Sequence, residues 1–160
     1  MRVVLAEDSL LLREGLVRLF DEAGAQVVAA VGDGDALVSA VLAERPDVAV
    51  VDVRMPPTFT DEGLRAALEV RRQVPSTGIL VLSQYVEQTY ASELLAGGEG
   101  GVGYLLKDRV SRLADLADAL SRVAAGGTVL DPRWCRRCSR IGAPVTRCRR
   151  SRRGSATCWR

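Results

Sequence analysis

Five short apolar runs punctuate the chain: Val3-Val4-Leu5-Ala6, Val27-Val28-Ala29-Ala30-Val31, Val48-Ala49-Val50-Val51, Ile79-Leu80-Val81-Leu82 and Val102–Leu106. They lack the polar alternation of half-exposed strands, which suits strands buried on both faces of a helix-covered parallel sheet. Amphipathic segments begin near Ser9, Asp33, Asp61 or Glu62, and Val86. The clearest is the last, with Leu113, Leu116, Ala117, Leu120, Val123 and Ala124 on one helical face and Gly126-Gly127 closing it. Gly24, Pro46, Pro75 and Gly97-Gly98 supply breaks before the later strands. Five strands, each followed by a helix through right-handed crossovers, predict a three-layer α/β sandwich. In such a sheet ligands gather at the carboxyl ends of the strands.

A length of 160 residues, 48% hydrophobic and 26% charged, suits one core-bearing domain and excludes wholesale disorder. No apolar run approaches the ~20 residues of a membrane helix, and Met1–Asp8 has no secretory apolar stretch before its first acids. The expectation is a cytoplasmic protein with no membrane association. With no histidine, the chain has no His-based triad, His zinc ligand or phosphohistidine of its own.

The net charge of +2 hides two unlike pieces. Residues 1–132 hold 12 Lys+Arg against 20 Asp+Glu, a net of −8, whereas residues 133–160 hold 10 Arg and no acid. Cys135, Cys138, Cys148, Cys158 and both tryptophans also lie in that last stretch. The expected organisation is therefore a compact domain over 1–130 and an unstructured arginine- and cysteine-rich tail over 131–160, too small to fold without a staple.

Candidate chemistry falls at the strand ends. The first run ends in Glu7-Asp8, the third in Asp52, the fourth in Ser83, and the fifth leads through Tyr104 to Lys107, the only lysine beside 21 arginines. Singly, each has an ordinary explanation. Asp8 or Ser9 can cap a helix, Asp52 can form a turn, Ser83 can cap, Tyr104 can be core and Lys107 can be solvated. Together, at the ends of successive strands, they place three carboxylates, a hydroxyl and an ammonium on one edge. Clustered carboxylates raise one another's pKa unless a cation joins them. Oxygen-only ligands point to a hard ion, Mg²⁺ foremost.

The order Glu7-Asp8, Asp52, Ser83, Tyr104, Lys107 resembles the receiver domain of two-component response regulators. Leu5-Ala6-Glu7-Asp8, Asp52-Val53-Arg54-Met55-Pro56-Pro57, Leu82-Ser83-Gln84-Tyr85-Val86 and Gly103-Tyr104-Leu105-Leu106-Lys107-Asp108 resemble the NarL/FixJ (LuxR-type) subfamily more narrowly. The resemblance covers roughly residues 1–130. It implies a flavodoxin-like (CheY-like) fold, doubly wound on a five-stranded parallel sheet of order 2-1-3-4-5. It implies Asp52 as phosphoacceptor, with Glu7, Asp8, Asp52 and the Arg54 backbone carbonyl around Mg²⁺. Ser83 would contact the phosphoryl group, Lys107 would neutralise it, and Tyr104 would rotate inward as a switch. Asp108 stands where many receivers carry a proline.

The implied donor is a sensor histidine kinase, and the protein is not an enzyme beyond Mg²⁺-dependent phosphorylation and dephosphorylation of Asp52. The expected readout face is the helix after the fourth strand, the fifth strand and the helix after it, around Tyr85, Tyr90, Leu94, Val110 and Leu113, with homodimerisation as one use. A rival reading is a phosphohydrolase of the haloacid dehalogenase type, which also joins an aspartyl nucleophile to Mg²⁺ and a lysine. That chemistry wants a second acid two residues after the nucleophile, where this chain has Arg54.

In the subfamily, a sequence like Gly126-Gly127-Thr128-Val129-Leu130-Asp131-Pro132 leads to a DNA-binding helix-turn-helix domain. Here the tail follows instead. Cys135-x-x-Cys138 resembles half a zinc ribbon, but nine residues rather than two separate Cys148 from Cys158, which disfavours a four-thiolate site. The arginines suit nonspecific nucleic-acid binding. A third reading explains the composition better: the tail is a frame-shifted translation of a GC-rich gene. Synonymous codons can be chosen for residues 133–160 so that the frame starting at the third base of the Arg133 codon reads VVSQVLAHRRARDPLPTLTPRERDVLA. The stretch LTPRERDVLA resembles the opening of that missing helix-turn-helix domain.

Overall fold

The computed structural model describes residues 1–85, 94, 100–110 and 112–131, together with the backbone of 148–150 and 156–158. The expected helix start at Val86, Tyr90 of the readout face, Cys135, Cys138 and most of the basic tail lie outside the described residues. In chain order the elements are β1 (Arg2–Ala6), α1 (Leu10–Glu22), β2 (Gln26–Val31), α2 (Gly34–Glu44), β3 (Val48–Asp52), α3 (Glu62–Gln73) and β4 (Gly78–Ser83). β5 (Val102–Leu106), α4 (Lys107–Val110), α5 (Leu113–Ala124) and β6 (Thr128–Leu130) follow. Residues Cys148–Arg150 (β7) and Ala156–Cys158 (β8) form a separate two-stranded antiparallel pair.

The main sheet has the order β2-β1-β3-β4-β5-β6, and every neighbouring pair is parallel. All five expected strands are present, and β6 adds a sixth at the β5 edge, with Tyr104 opposite Leu130. Three residues behind a Gly-Gly break are too few to show a periodic signal, so the pattern reads β6 as linker. β2 departs in burial. As an edge strand, it leaves Val27, Val28 and Ala29 only partly buried although its sequence is as apolar as the central strands.

Alternate residues of each strand face opposite layers. On one side Val4, Ala6, Ala49, Val51, Ile79, Val81 and Tyr104 pack with Leu37, Val41, Leu64, Ala67 and Val70 of α2 and α3. On the other, Val3, Leu5, Val48, Val50, Leu80, Leu82 and Leu105 pack with Leu16 and Phe20 of α1 and Leu116, Leu120 and Val123 of α5. Each such side chain contributes roughly 1.5–3 kcal/mol of burial, enough to override the modest intrinsic helix preference of any one segment. Local signals set the ends. Asp33 caps α2 by accepting the Ala36 N–H at 2.8 Å. Gly126, at φ +84°, turns the chain out of α5 and toward β6. Among the described residues no helix is long and apolar enough to cross a membrane.

Candidate functional site

The order of the sheet reverses direction between β1 and β3, and this point carries the charged cluster. β1 delivers Glu7 and Asp8, β3 ends in Asp52, and Lys107 opens α4 after β5. One carboxylate oxygen from each of Glu7, Asp8 and Asp52 lies within 4.8 Å of the others. The Lys107 ammonium donates to Glu7 Oε2 at 2.8 Å and lies 3.1 Å from Asp52 Oδ2. Glu7 and Asp52 are buried, and Lys107 is mostly so.

Two backbone approaches fix Asp52. The Arg54 N–H bonds its carboxylate, and the first turn of α3 abuts the end of β3. A Cβ at Gly63 would come within 1.7 Å of the Asp52 carbonyl oxygen, so only glycine fits there. The Gly63 N–H donates to the Val53 carbonyl at 3.0 Å, which seats the helix against the strand end. The intervening loop has a cis Pro56-Pro57 bond and is held by Glu62, whose carboxylate accepts the Thr58 and Thr60 N–H groups and the Thr58 hydroxyl. Those bonds pull the Glu62 carboxyl down to about 2.

The electrostatics follow from burial. Desolvation raises the Glu7 and Asp52 carboxyls above their ordinary range, outweighing the favourable contact with Lys107. The Asp52 charge further raises Glu7, and the Asp8 charge further raises Asp52. Burial works against the Lys107 ammonium too, but its bond to Glu7 and the nearby Asp52 charge hold its pKa above the usual value. Three carboxylates facing one ammonium leave the cluster short of positive charge. An all-oxygen donor set with that deficit fits a hard divalent cation.

Several local alternatives are resolved. Ser9 occupies the N-cap of α1 without a side-chain cap bond, and its N–H donates to Glu7 Oε1 at 3.2 Å. The Asp8 carboxylate is in the acidic cluster. Asp52 is buried, so it is not a surface turn former.

Ser83 and Tyr104 converge on a different atom. The Ser83 hydroxyl donates to the Tyr85 carbonyl at 2.8 Å and accepts the Tyr85 N–H at 3.2 Å. The Tyr104 hydroxyl, on a buried ring, donates to that same carbonyl at 3.0 Å. The Tyr85 backbone as a shared acceptor has no sequence signature, since it depends on the turn after β4. Above it, the Arg54 guanidinium lies 5.4 Å from the centre of the Tyr85 ring. Arg54 and Tyr85 each follow a site residue by two positions, a spacing that would have flagged them as neighbours.

Of the expected readout residues, Tyr85 is exposed and Leu113 partly so. Leu94 and Val110 are instead buried, Leu94 in the layer that holds Tyr104 and Val110 in the layer of α1 and α5. Their apolar side chains fill the core on opposite faces of the sheet.

Comparison with known proteins agrees with this geometry. The response regulator receiver domain family matches residues 3–120. The chain is 32% identical over 130 residues to the uncharacterized transcriptional regulatory protein YxjL of Bacillus subtilis, covering 81% of this chain and 56% of that protein. It is 35% identical over 133 residues to the probable transcriptional regulatory protein NarL of Mycobacterium tuberculosis, covering 82% and 58%. The chain thus spans little more than half the length of these relatives. The solved receiver domain of the latter protein superposes with a TM-score of 0.66 at 34% identity, covering 78% of this chain and 96% of that one. The haloacid dehalogenase reading is not favoured, for Arg54 stands where its second acid is needed. With Glu7, Asp8, Asp52 and Lys107 gathered at the carboxyl edge of a parallel sheet, and with this match over most of its length, the chain belongs to the response regulator receiver domain family.

Proposed function

We propose that Asp52 accepts a phosphoryl group from the phosphohistidine of a sensor kinase and that this sets the state of the domain. The observation that carries the reading is the Lys107 ammonium bridging Glu7 and Asp52 beside Asp8. One Asp52 carboxylate oxygen forms the new bond to phosphorus while the P–N bond to the donor imidazole breaks. Lys107 stands ready to pair with a phosphoryl oxygen as a compact point charge. Glu7, Asp8, Asp52 and the Arg54 carbonyl would hold Mg²⁺, which supplies neutralisation of the transferred group's charge. Ser83 turns its hydroxyl from the Tyr85 carbonyl to the phosphoryl group, and Tyr104 follows into the space released. The acyl phosphate hydrolyses in time, which makes the signal temporary. The relatives' names support a role in transcription control, with DNA contact and dimerisation belonging to full-length proteins, and a cytoplasmic setting suits that role.

The test is labelling with acetyl phosphate and Mg²⁺, read by intact mass. The wild-type protein gains one phosphoryl group and Asp52→Ala gains none; undiminished labelling of that variant overturns the reading.

For the remaining chain we propose a receiver over residues 1–130 followed by a tail of off-frame origin. The nucleotide sequence decides it. If the frame opened at the third base of the Arg133 codon fails to encode a stretch like LTPRERDVLA, the tail is a sequence in its own right.

A further inference from the structure

The chain leaves the receiver through Asp131, and this residue is held more tightly than a linker needs. It is fully buried. Its N–H donates to the Tyr104 carbonyl at 3.0 Å, continuing the β5–β6 pairing by one residue. Its carboxylate lies 3.4 Å from the Arg109 guanidinium, which also approaches Asp115 of α5 at 3.8 Å. A buried carboxylate is costly without a charged partner, and the Arg109 guanidinium offers Asp131 one.

Both attachments lead back to the Asp52 site by short routes. Arg109 and Lys107 share the four-residue helix α4, so the ammonium that binds Glu7 and Asp52 and the guanidinium that binds Asp131 move as one piece. Tyr104 is the second route. Its hydroxyl shares the Tyr85 carbonyl with Ser83 while its own carbonyl holds the Asp131 N–H. Lys107 thus reaches Asp131 through Arg109, and Ser83 reaches it through the Tyr85 carbonyl and Tyr104.

Resting on the reading of Asp52 as phosphoacceptor, we propose that the Arg109–Asp131 pair is a latch on the exit of the chain, released when Asp52 is phosphorylated. Recruitment of Lys107 to the phosphoryl oxygens shifts α4 and draws Arg109 from Asp131. Departure of Ser83 from the Tyr85 carbonyl opens space for the Tyr104 ring to turn inward, and that turn loads the β5 edge where the Tyr104 backbone carbonyl holds the Asp131 N–H. The device converts a charge change at one sheet edge into freedom of the segment beyond residue 131, a coupling between two sites through two discrete arrangements.

The experiment is amide hydrogen exchange of residues 128–131 in the full chain, with and without acetyl phosphate and Mg²⁺, alongside intact mass. With the phosphoryl group confirmed by mass, exchange at these residues accelerates at least about fivefold, the lower end of ordinary coupling. Arg109→Gln exchanges fast before labelling and changes less than about twofold on labelling, while Arg109→Lys retains most of the response. Should Arg109→Gln fail to fold, the wild-type comparison alone decides. Labelled protein whose exchange at 128–131 is unchanged or slower overturns the latch and leaves the phosphoacceptor standing. Absence of the mass gain overturns the reading of Asp52 itself, and the latch with it.

Discussion

Lys107 and Glu7, one hundred residues apart in the chain, meet at 2.8 Å in a site where little else answers the charge of Glu7 and Asp52. Removing the ammonium by Lys107→Ala leaves two buried carboxylates facing each other. The expected loss is about 3 kcal/mol at pH 7, the size seen when one member of a buried pair is deleted. At pH 5 the loss is smaller, because the stranded carboxyls take up protons. Urea unfolding at the two pH values measures both.

Asp52 makes the complementary case. Its carboxyl and that of Glu7 are held above the ordinary range, chiefly by burial. Between the ordinary and the raised values the folded protein binds more protons than the unfolded chain, so these groups lower stability as pH rises through that window. Asp52→Asn removes one of the charges. It is expected to be more stable than wild type at pH 7 by about 1 kcal/mol, an ordinary single-residue effect. The gap closes as pH falls through the raised Asp52 value and the carboxyl is neutralised anyway. Paired denaturation curves across pH 4–7 show whether it does.

A divalent cation acts in the same direction as that substitution. Mg²⁺ at ten times its dissociation constant stabilises the folded state by about 1.4 kcal/mol, by mass action alone. Asp8→Asn, which removes one of the three clustered carboxylates, weakens the shift in melting temperature. Lowering the pH toward the raised carboxyl values weakens it too, since protons compete for the same oxygens. Melting curves with and without Mg²⁺ provide the measurement, and an equal shift in Asp8→Asn and wild type would remove Asp8 from the donor set.

Gly63 links fold to site. An added Cβ there collides with the Asp52 carbonyl, backbone against backbone, so neither side can yield by a rotamer change. Gly63→Ala should cost about 1–3 kcal/mol from overpacking and slow phosphoryl uptake by displacing the end of β3. Gly15→Ala is the control, because a Cβ at that helical position meets nothing within 4 Å. Equal stabilities of the two variants would contradict the tight seating of α3.

The sequence makes some of this legible and hides the rest for identifiable reasons. β1, β3, β4 and β5 announce themselves because both faces are buried, which leaves no polar position in the run. α5 is visible through the spacing of Leu113, Leu116, Leu120 and Val123, since a helix on one face of a sheet needs one stripe. β6 is hidden by its brevity. Glu7, Asp8, Asp52 and Lys107 are readable because charge at the end of an apolar run has few structural uses. The meeting of Ser83 and Tyr104 at the Tyr85 carbonyl is not, because a backbone acceptor has no residue type. Nor is the burial of Asp131, whose Pro132 neighbour makes it look like the start of a linker.

The lone lysine has a practical bearing. Every other basic side chain is a guanidinium, inert to reagents that acylate primary amines, so such a reagent finds one side-chain target beside the amino terminus. That target is the group seated between Glu7 and Asp52. Its rate of acylation is thus a direct chemical gauge of how firmly the two acids grip it, read without a probe attached anywhere in the molecule.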